Sequence, residues 1–364
     1  MRIAQVEASV HRIEAALPVS GKPAGDTLRV VCQVTTDDGR VGFGMTGRFL
    51  AHGTAAAVNH HLGPAVIGMD PRRVEAVSAA MAKLATERGR QTGINLAAMA
   101  CIDLACWDLW GQSTGQSVAQ LLGGHDDGAE VYVTFGFPTY DDDQLVEVAR
   151  LLLGQGHRRL KVLVGTAHGV ARDIRRMRKV RAAIGDDVML AMDANEGIPL
   201  EAAVAIARGV EDLDVAWFED PVINCDARDL RELRRKTAIP LSAGQMDGHS
   251  SRFRDWLEHD ALDILMPNSM FNGGMTETRR VAALAHLYNR PLSDAGGGGV
   301  FCLHHVAGFA VGTLAEMHLG ADQVEQALFV EAPEPVAGRT AIPAAPGWGV
   351  DLDRDRLRAT LVAA

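Results

Sequence analysis

Apolar and polar positions change rhythm near residue 125. Before that point, "RIAQVEASVHRI" alternates like a half-buried strand. "LRVVCQVTTDDGRVGFG" carries two strand-like runs around Asp38-Gly39, a dipeptide suited to a tight hairpin turn. The intervening "EAALPVSGKPAGDT" is rich in Gly and Pro and reads as a loop. "RRVEAVSAAMAKLATE" and "NLAAMACIDLACWDLWGQSTG" place apolar residues at helical spacing, and Gly123 is a helix stop. The pattern predicts an α+β unit over residues 1–125.

From residue 126 to 364, short apolar runs alternate with amphipathic stretches of helix length. The runs are "AEVYVTFG", "RLKVLVG", "DVMLAMDAN", "DVAWFEDP", "IPLSAG", "LDILMPN", "PLSDAGG" and "QALFVEAP", with a longer helical stretch after the seventh. Eight strand–helix repeats predict an α/β barrel. No GxGxxG follows the first strand, which argues against a dinucleotide fold.

Composition narrows the partners. A net charge of -10 disfavours nucleic acid, which needs a basic stripe. The basic stretch "DIRRMRKVRAAIG" fits the barrel rhythm and reads as a helix with solvated cations. No apolar run looks long enough to span a bilayer, and the N-terminus lacks a signal-peptide core, so no membrane partner is expected. Five cysteines without a CxxC pair suggest neither a disulfide framework nor a zinc knot, and a cytoplasmic location follows as the default.

Barrel enzymes gather their chemistry at the C-terminal ends of the strands. Those ends carry Lys161 and Leu163, Asp193 and Asn195, Glu219 and Asp220, Gln245, Asn268 and Asp294. Asp193 and Glu219, with neutral oxygens from Gln245, Asn195 or Asn268, form a donor set suited to Mg²⁺ or Mn²⁺ rather than zinc. Lys161 supplies positive charge, or a base if its pKa is lowered. The competing reading is that each carboxylate caps a helix or faces solvent.

The ordered set "INLAAMACIDLACWDLWGQSTGQSVAQLLGG", "GHRRLKVLVG", "AMDANEG", "WFEDP", "LDILMPN", "NGGMTE" and "PGWGVDLD" resembles the enolase superfamily, in its mandelate racemase/muconate lactonizing branch. The resemblance spans essentially the whole chain. It implies a modified (β/α)₇β TIM-like barrel, an α+β capping domain, and a C-terminal segment that returns to that cap. It also implies a homo-oligomer and metal-assisted removal of the proton α to a carboxylate.

Carried over residue by residue, the resemblance makes Asp193 and Glu219 the first two metal ligands. Gln245 stands where the third is normally a glutamate. The usual Lys-x-Lys pair reads Lys161-Val162-Leu163, so the usual base is a leucine. Asn268 replaces an aspartate that supports a histidine base, and that histidine's position falls near Asp294-Ala295. Glu331, in "LFVEAP", matches a glutamate that contacts the substrate carboxylate. Replacement acid–base candidates are His304, His305, Asp294 and Lys161. The capping loops "VSGKPAGDT" and "MTGRFLAHG" make Lys22, Arg48 and His52 candidates for substrate recognition, with Asn195 and Asn268 from the barrel. The expected function is Mg²⁺-dependent dehydration or cycloisomerisation of an acid sugar or its lactone. The alternatives are a racemase or epimerase of a small 2-hydroxy acid, and a non-catalytic ligand-binding relative.

Overall fold

The computed structural model describes residues 1–25, 27–47, 50–85 and 93–362. Strands β1 (Ile3–Arg12), β2 (Leu28–Thr36) and β3 (Val41–Gly47) form an antiparallel meander, with β2 central. The β2–β3 hairpin turns at Asp38-Gly39, where Gly39 adopts a φ of 84°. One face of this sheet lies on the helix Ile94–Thr114. Contact is close because a Cβ on Gly42 or Gly44 would come within 2.4 or 2.2 Å of a carbonyl oxygen of that helix.

The Ile94–Thr114 helix has no polar face, and 15 of its residues are buried. Contrary to the expectation from the sequence, it is long and apolar enough to cross a bilayer, but 83% of its apolar window is buried inside the protein. It is instead the core of the cap, packed between the sheet, the helix Val74–Ala85 and the barrel helix Met275–Leu287. A fully buried large side chain there contributes roughly 1.5–3 kcal/mol.

The second sheet is parallel: β4 (Gly128–Gly136), β5 (Arg159–Leu163), β6 (Met189–Asp193), β7 (Val215–Glu219), β8 (Leu241–Ala243), β9 (Ile264–Leu265) and β10 (Leu314–His318). β10 pairs with β4, and Leu292 bridges β9 to Gly312 just before β10, which closes the barrel with a seventh stave reduced to that bridge. Seven helices connect the eight staves, giving the (β/α)₇β barrel with its cap. Of these helices, Asp142–Gly154 and Ala227–Arg234 are each N-capped by an aspartate, Asp141 and Asp226. β11 (Arg339–Ala341) then pairs antiparallel with β4, and Leu361 bridges to His11 of the cap.

Two expectations need correction. The eighth stave is Leu314–His318, inside the stretch read as helical, and not "QALFVEAP". The helix after the seventh stave stops at Gly308, and Gly312 lets the chain re-enter the barrel. The basic helix Val170–Ile184 also does more than hold solvated cations. Arg176 is fully buried and donates to the carbonyls of Gly136, Phe137 and Tyr140, which shapes the loop after β4. Arg181 is likewise buried and donates to the carbonyls of Val188 and Leu213.

Candidate active site

Alternate residues along each stave point into the barrel. Tyr132, Ala191, Trp217, Met266 and Ala295 meet there as an apolar layer. Two residues further along four of the staves the side chains become Thr134, Asp193, Glu219 and Asn268, all buried. β5 adds Lys161, in register with Ala191, and β10 adds Glu316. The polar layer is thus a direct consequence of strand period and register.

Lys161 lies at the centre of this layer, with its side chain 1% exposed. Its Nζ donates to both oxygens of Glu219 at 2.7 Å, and lies 3.0 Å from Glu316 Oε1 and 3.5 Å from Asp193 Oδ2. The Nζ also sits 5.1 Å from the Tyr132 ring centroid. Burial alone would lower the lysine pKa, but Glu219, Glu316 and Asp193 reverse this and hold it above the usual range. These carboxylates hold Lys161 as an ammonium, so it can act as a base only when they are drawn to another cation.

The acids outnumber this cation. Burial pushes the Asp193, Glu219 and Asp220 pKa values up, Lys161 opposes the rise for Asp193 and Glu219, and the neighbouring acids add to it. Burial also acts on Glu316, but there Lys161, His318, Thr134 Oγ1 and the Gly297 N–H prevail and hold the pKa at about 2. The surplus negative charge lies on the Asp193–Glu219–Asp220 side, where one oxygen from each residue falls within 4.8 Å of the others. Octahedral Mg²⁺ with oxygens about 2.1 Å from the metal fits that spread. An all-oxygen acidic cluster of this kind is consistent with Mg²⁺ binding.

The other expected residues divide clearly. Gln245 is buried and donates from Nε2 to Asp220 Oδ2 at 2.6 Å. Asn268 is tied at both ends to backbone, to Ala295 O at 2.7 Å and Met270 N at 2.9 Å. Asn195 is exposed, and its N–H donates to Asp193 Oδ1 at 2.7 Å. Asp294 accepts the Glu316 N–H at 2.8 Å, which links the seventh and eighth staves, and burial raises its pKa well above the usual carboxylate range. Lys22 is exposed and donates to Thr139 O at 2.9 Å, tying a capping loop to the loop after β4. His52 is exposed on the helix Ala51–Ala57, and Arg48 lies outside the described residues.

His304, His305 and Glu331 are corrected by the geometry. Both histidines are on the helix Gly299–Gly308, outside the barrel wall. His304 accepts the Ala119 N–H at 3.0 Å, pairs with Trp348 O at 3.1 Å, and is held neutral by burial at a pKa of about 4. His305 is fully buried with no partner for either ring nitrogen among the described residues, and burial, helped by His304, lowers its pKa to about 3. Glu331 is exposed in the segment after the barrel, whereas Glu316 lies within β10 and faces Lys161. Glu316, Thr134 and Tyr132 are residues that sequence reasoning missed. Thr134 Oγ1 donates to Glu316 Oε1 at 2.5 Å, and the Tyr132 hydroxyl donates to Asp294 O at 2.6 Å. The alternation of "LAEMH" after Gly312 was the available signal for Glu316.

Residues 144–356 match the family model for an enolase C-terminal domain-like unit. Residues 7–123 match that for the mandelate racemase / muconate lactonizing enzyme N-terminal domain. The chain belongs to the enolase superfamily. Within its mandelate racemase/muconate lactonizing branch, the chain is similar to a D-galactarolactone cycloisomerase from Agrobacterium fabrum, 30% identical over 95% of both chains. Among solved structures it resembles a 3,6-anhydro-D-galactonate cycloisomerase from Zobellia galactanivorans, with a TM-score of 0.90, 27% identity and 100% of both chains covered. It also resembles an L-talarate dehydratase from a Polaromonas species, solved with Mg and L-glucarate, with a TM-score of 0.86, 27% identity, and 100% of this chain and 98% of that one covered. The chain is accordingly an enzyme of this superfamily, acting on a small carboxylic acid.

Proposed function

We propose that this enzyme catalyses Mg²⁺-dependent β-elimination from an acid sugar or its lactone. The proton α to the carboxylate passes to the Lys161 amine, the C–H electron pair forms the new C=C bond, and an oxygen substituent on the β-carbon leaves. Released as water, that oxygen makes the reaction a dehydration. Kept tethered by ring opening, it makes the reaction a cycloisomerisation.

The observation that carries this reading is the Asp193–Glu219–Asp220 cluster beside the Lys161 ammonium at the strand ends. The three relatives named above act on, or were solved with, sugar-derived acids or lactones, which supports the substrate class. Asp193 and Glu219 would hold Mg²⁺, which supplies a Lewis acid for the substrate carboxylate. Lys161, with its carboxylate partners turned to the metal, takes the α-proton and returns it to the departing oxygen. Glu316, held by Thr134 and the Gly297 N–H, keeps Lys161 in place. The barrel's apolar layer beneath excludes water from these charges.

The pattern of missing bases selects among reactions. Racemisation needs proton carriers on both faces of the α-carbon. The two positions that the family uses for them hold Leu163 and Ala295 here. Elimination with the proton and oxygen leaving on one side requires only one face. The test is ¹H NMR of the Mg²⁺-loaded enzyme with matched pairs of an open acid sugar and its lactone. A keto-acid product from the open form supports dehydration, and loss of the lactone ring supports cycloisomerisation. Epimer formation without elimination would overturn the proposal.

A further inference from the structure

We propose that Asp220, and not Gln245, supplies the third metal-binding carboxylate, and that Gln245 is the residue that positions it. The inference rests on the metal-dependent reading above and concerns how this chain completes its site.

In an extended strand, consecutive side chains point to opposite faces. Glu219 and Asp220 are consecutive, yet an oxygen from each falls in one cluster with Asp193. The backbone explains this. β7 ends at Glu219, and Asp220 adopts a φ of 40° in the left-handed region before Pro221. The departure from strand geometry stops the alternation and brings both carboxylates to the same side. The position is held by backbone bonds on both sides, from Asp220 N–H to Ser242 O at 2.9 Å and from Glu196 N–H to Asp220 O at 2.9 Å. A left-handed non-glycine residue persists only where its surroundings over-determine it.

Gln245 is already engaged. Its Nε2 donates to Asp220 Oδ2 at 2.6 Å and Cys225 Sγ donates to Oδ1 at 3.6 Å, so each carboxylate oxygen keeps a lone pair for another partner. Its Oε1 lies toward the seventh stave, where a Cβ on Gly296 would come within 2.7 Å of it and within 3.3 Å of Asn268 Nδ2. The amide therefore spans from Asp220 to the Gly296 loop. A glutamate at position 245 would set a carboxylate against Asp220 at hydrogen-bond distance, and an amide turns that contact into donation. The site keeps three carboxylates, Asp193, Glu219 and Asp220, although the strand-end glutamate is lost.

The experiment measures Mn²⁺ binding to the full chain by electron paramagnetic resonance of free Mn²⁺, without substrate. The variants are Asp193→Asn, Asp220→Asn, Gln245→Met and the Asp220→Asn/Gln245→Met double variant, each checked for a cooperative thermal melt. The proposal expects Asp220→Asn to weaken Mn²⁺ binding at least about 100-fold, and Gln245→Met about 10-fold, the size of a change beyond the direct ligands. It also expects the double variant to bind no more weakly than Asp220→Asn, because Gln245 acts through Asp220. Affinity of Asp220→Asn within about 3-fold of the parent, or a further loss in the double variant, would overturn the proposal. Should Asp220→Asn fail to fold, Gln245→Met decides: a loss as large as that of Asp193→Asn marks Gln245 as a direct ligand. Absence of Mn²⁺ binding by the parent protein would instead overturn the metal-dependent reading itself.

Discussion

Two regions of this molecule bury carboxylates, and they do so differently. At the junction between cap and barrel, Asp103 accepts the N–H and hydroxyl of Thr276 at 3.0 and 2.6 Å. In the same helix, Asp108 accepts the Phe43 and Trp348 N–H groups at 3.1 Å each, and Gln112 Nε2 at 3.0 Å. Each acid there is met by donors from the fold. At the barrel mouth, Asp193, Glu219 and Asp220 face one another across a space served by a single ammonium. Depth of burial is the same in both places, so it does not separate structure from function. The partners do: donors from the backbone mark a staple, and acids converging on acids mark a site for a cation.

The largest effect expected from this contrast is at the mouth. Asp193→Asn or Glu219→Gln should weaken Mg²⁺ binding more than about 100-fold, beyond the loss typical of residues behind the ligands. Calorimetric titration checks the affinity. Asp193→Asn also removes repulsion and keeps the Lys161–Glu219 pair, so it should melt no lower than the parent in metal-free buffer. A lower melting temperature would mean that Asp193 is structural.

At the junction the signs reverse. Asp108→Ala orphans two buried backbone N–H groups and should cost about 3 kcal/mol, with metal affinity unchanged. Denaturant titration beside the metal titration reads both. The junction also gives a pH dependence. Burial raises the Asp103 pKa to about 7, despite the Thr276 donors. Between the unfolded carboxylate value, about 4, and 7, the folded state holds a proton that the unfolded state has released. Stability from this residue therefore falls as pH rises through that window and then levels. Relative to Asp103→Asn, the parent should lose about 1–3 kcal/mol between pH 5 and 7.5; a flat difference would contradict the assignment.

The smallest effect belongs to neither region. His305 is buried with both ring nitrogens unpartnered among the described residues. His305→Leu should leave turnover unchanged and stabilise by up to about 1 kcal/mol, since an unmet polar group is removed. A drop in turnover would return His305 to the acid–base candidates.

The legible part of the sequence was whatever follows from period. Alternation marked β1, β2 and β3, and Asp38-Gly39 marked their hairpin. Apolar runs that stop at acids put Asp193 and Glu219 at the ends of β6 and β7. The eighth stave was not legible, because the short apolar run "TLAEMHL" follows a helix of similar composition and periodicity cannot separate them. That displaced the eighth-stave glutamate from Glu316 to Glu331. His304 and His305 failed for another reason. Order along the chain places them just after the seventh stave but does not say on which side of the barrel wall their helix packs. The charge on Lys161 was not legible, because its three carboxylate neighbours come from β6, β7 and β10 and meet only in the folded barrel. Asp220 was visible at a strand end, yet only its left-handed backbone brings it to the side of Glu219.

The central claim is that the surplus of acids at the mouth is a metal site for removal of an α-proton. The direct test is ¹H NMR in D₂O with acid sugars and their lactones, with and without Mg²⁺, comparing the parent with Glu219→Gln. Mg²⁺-dependent loss of the α-proton signal in the parent, absent in Glu219→Gln, is the predicted result. Equal loss in both proteins, or loss that persists after Mg²⁺ is chelated, would contradict it.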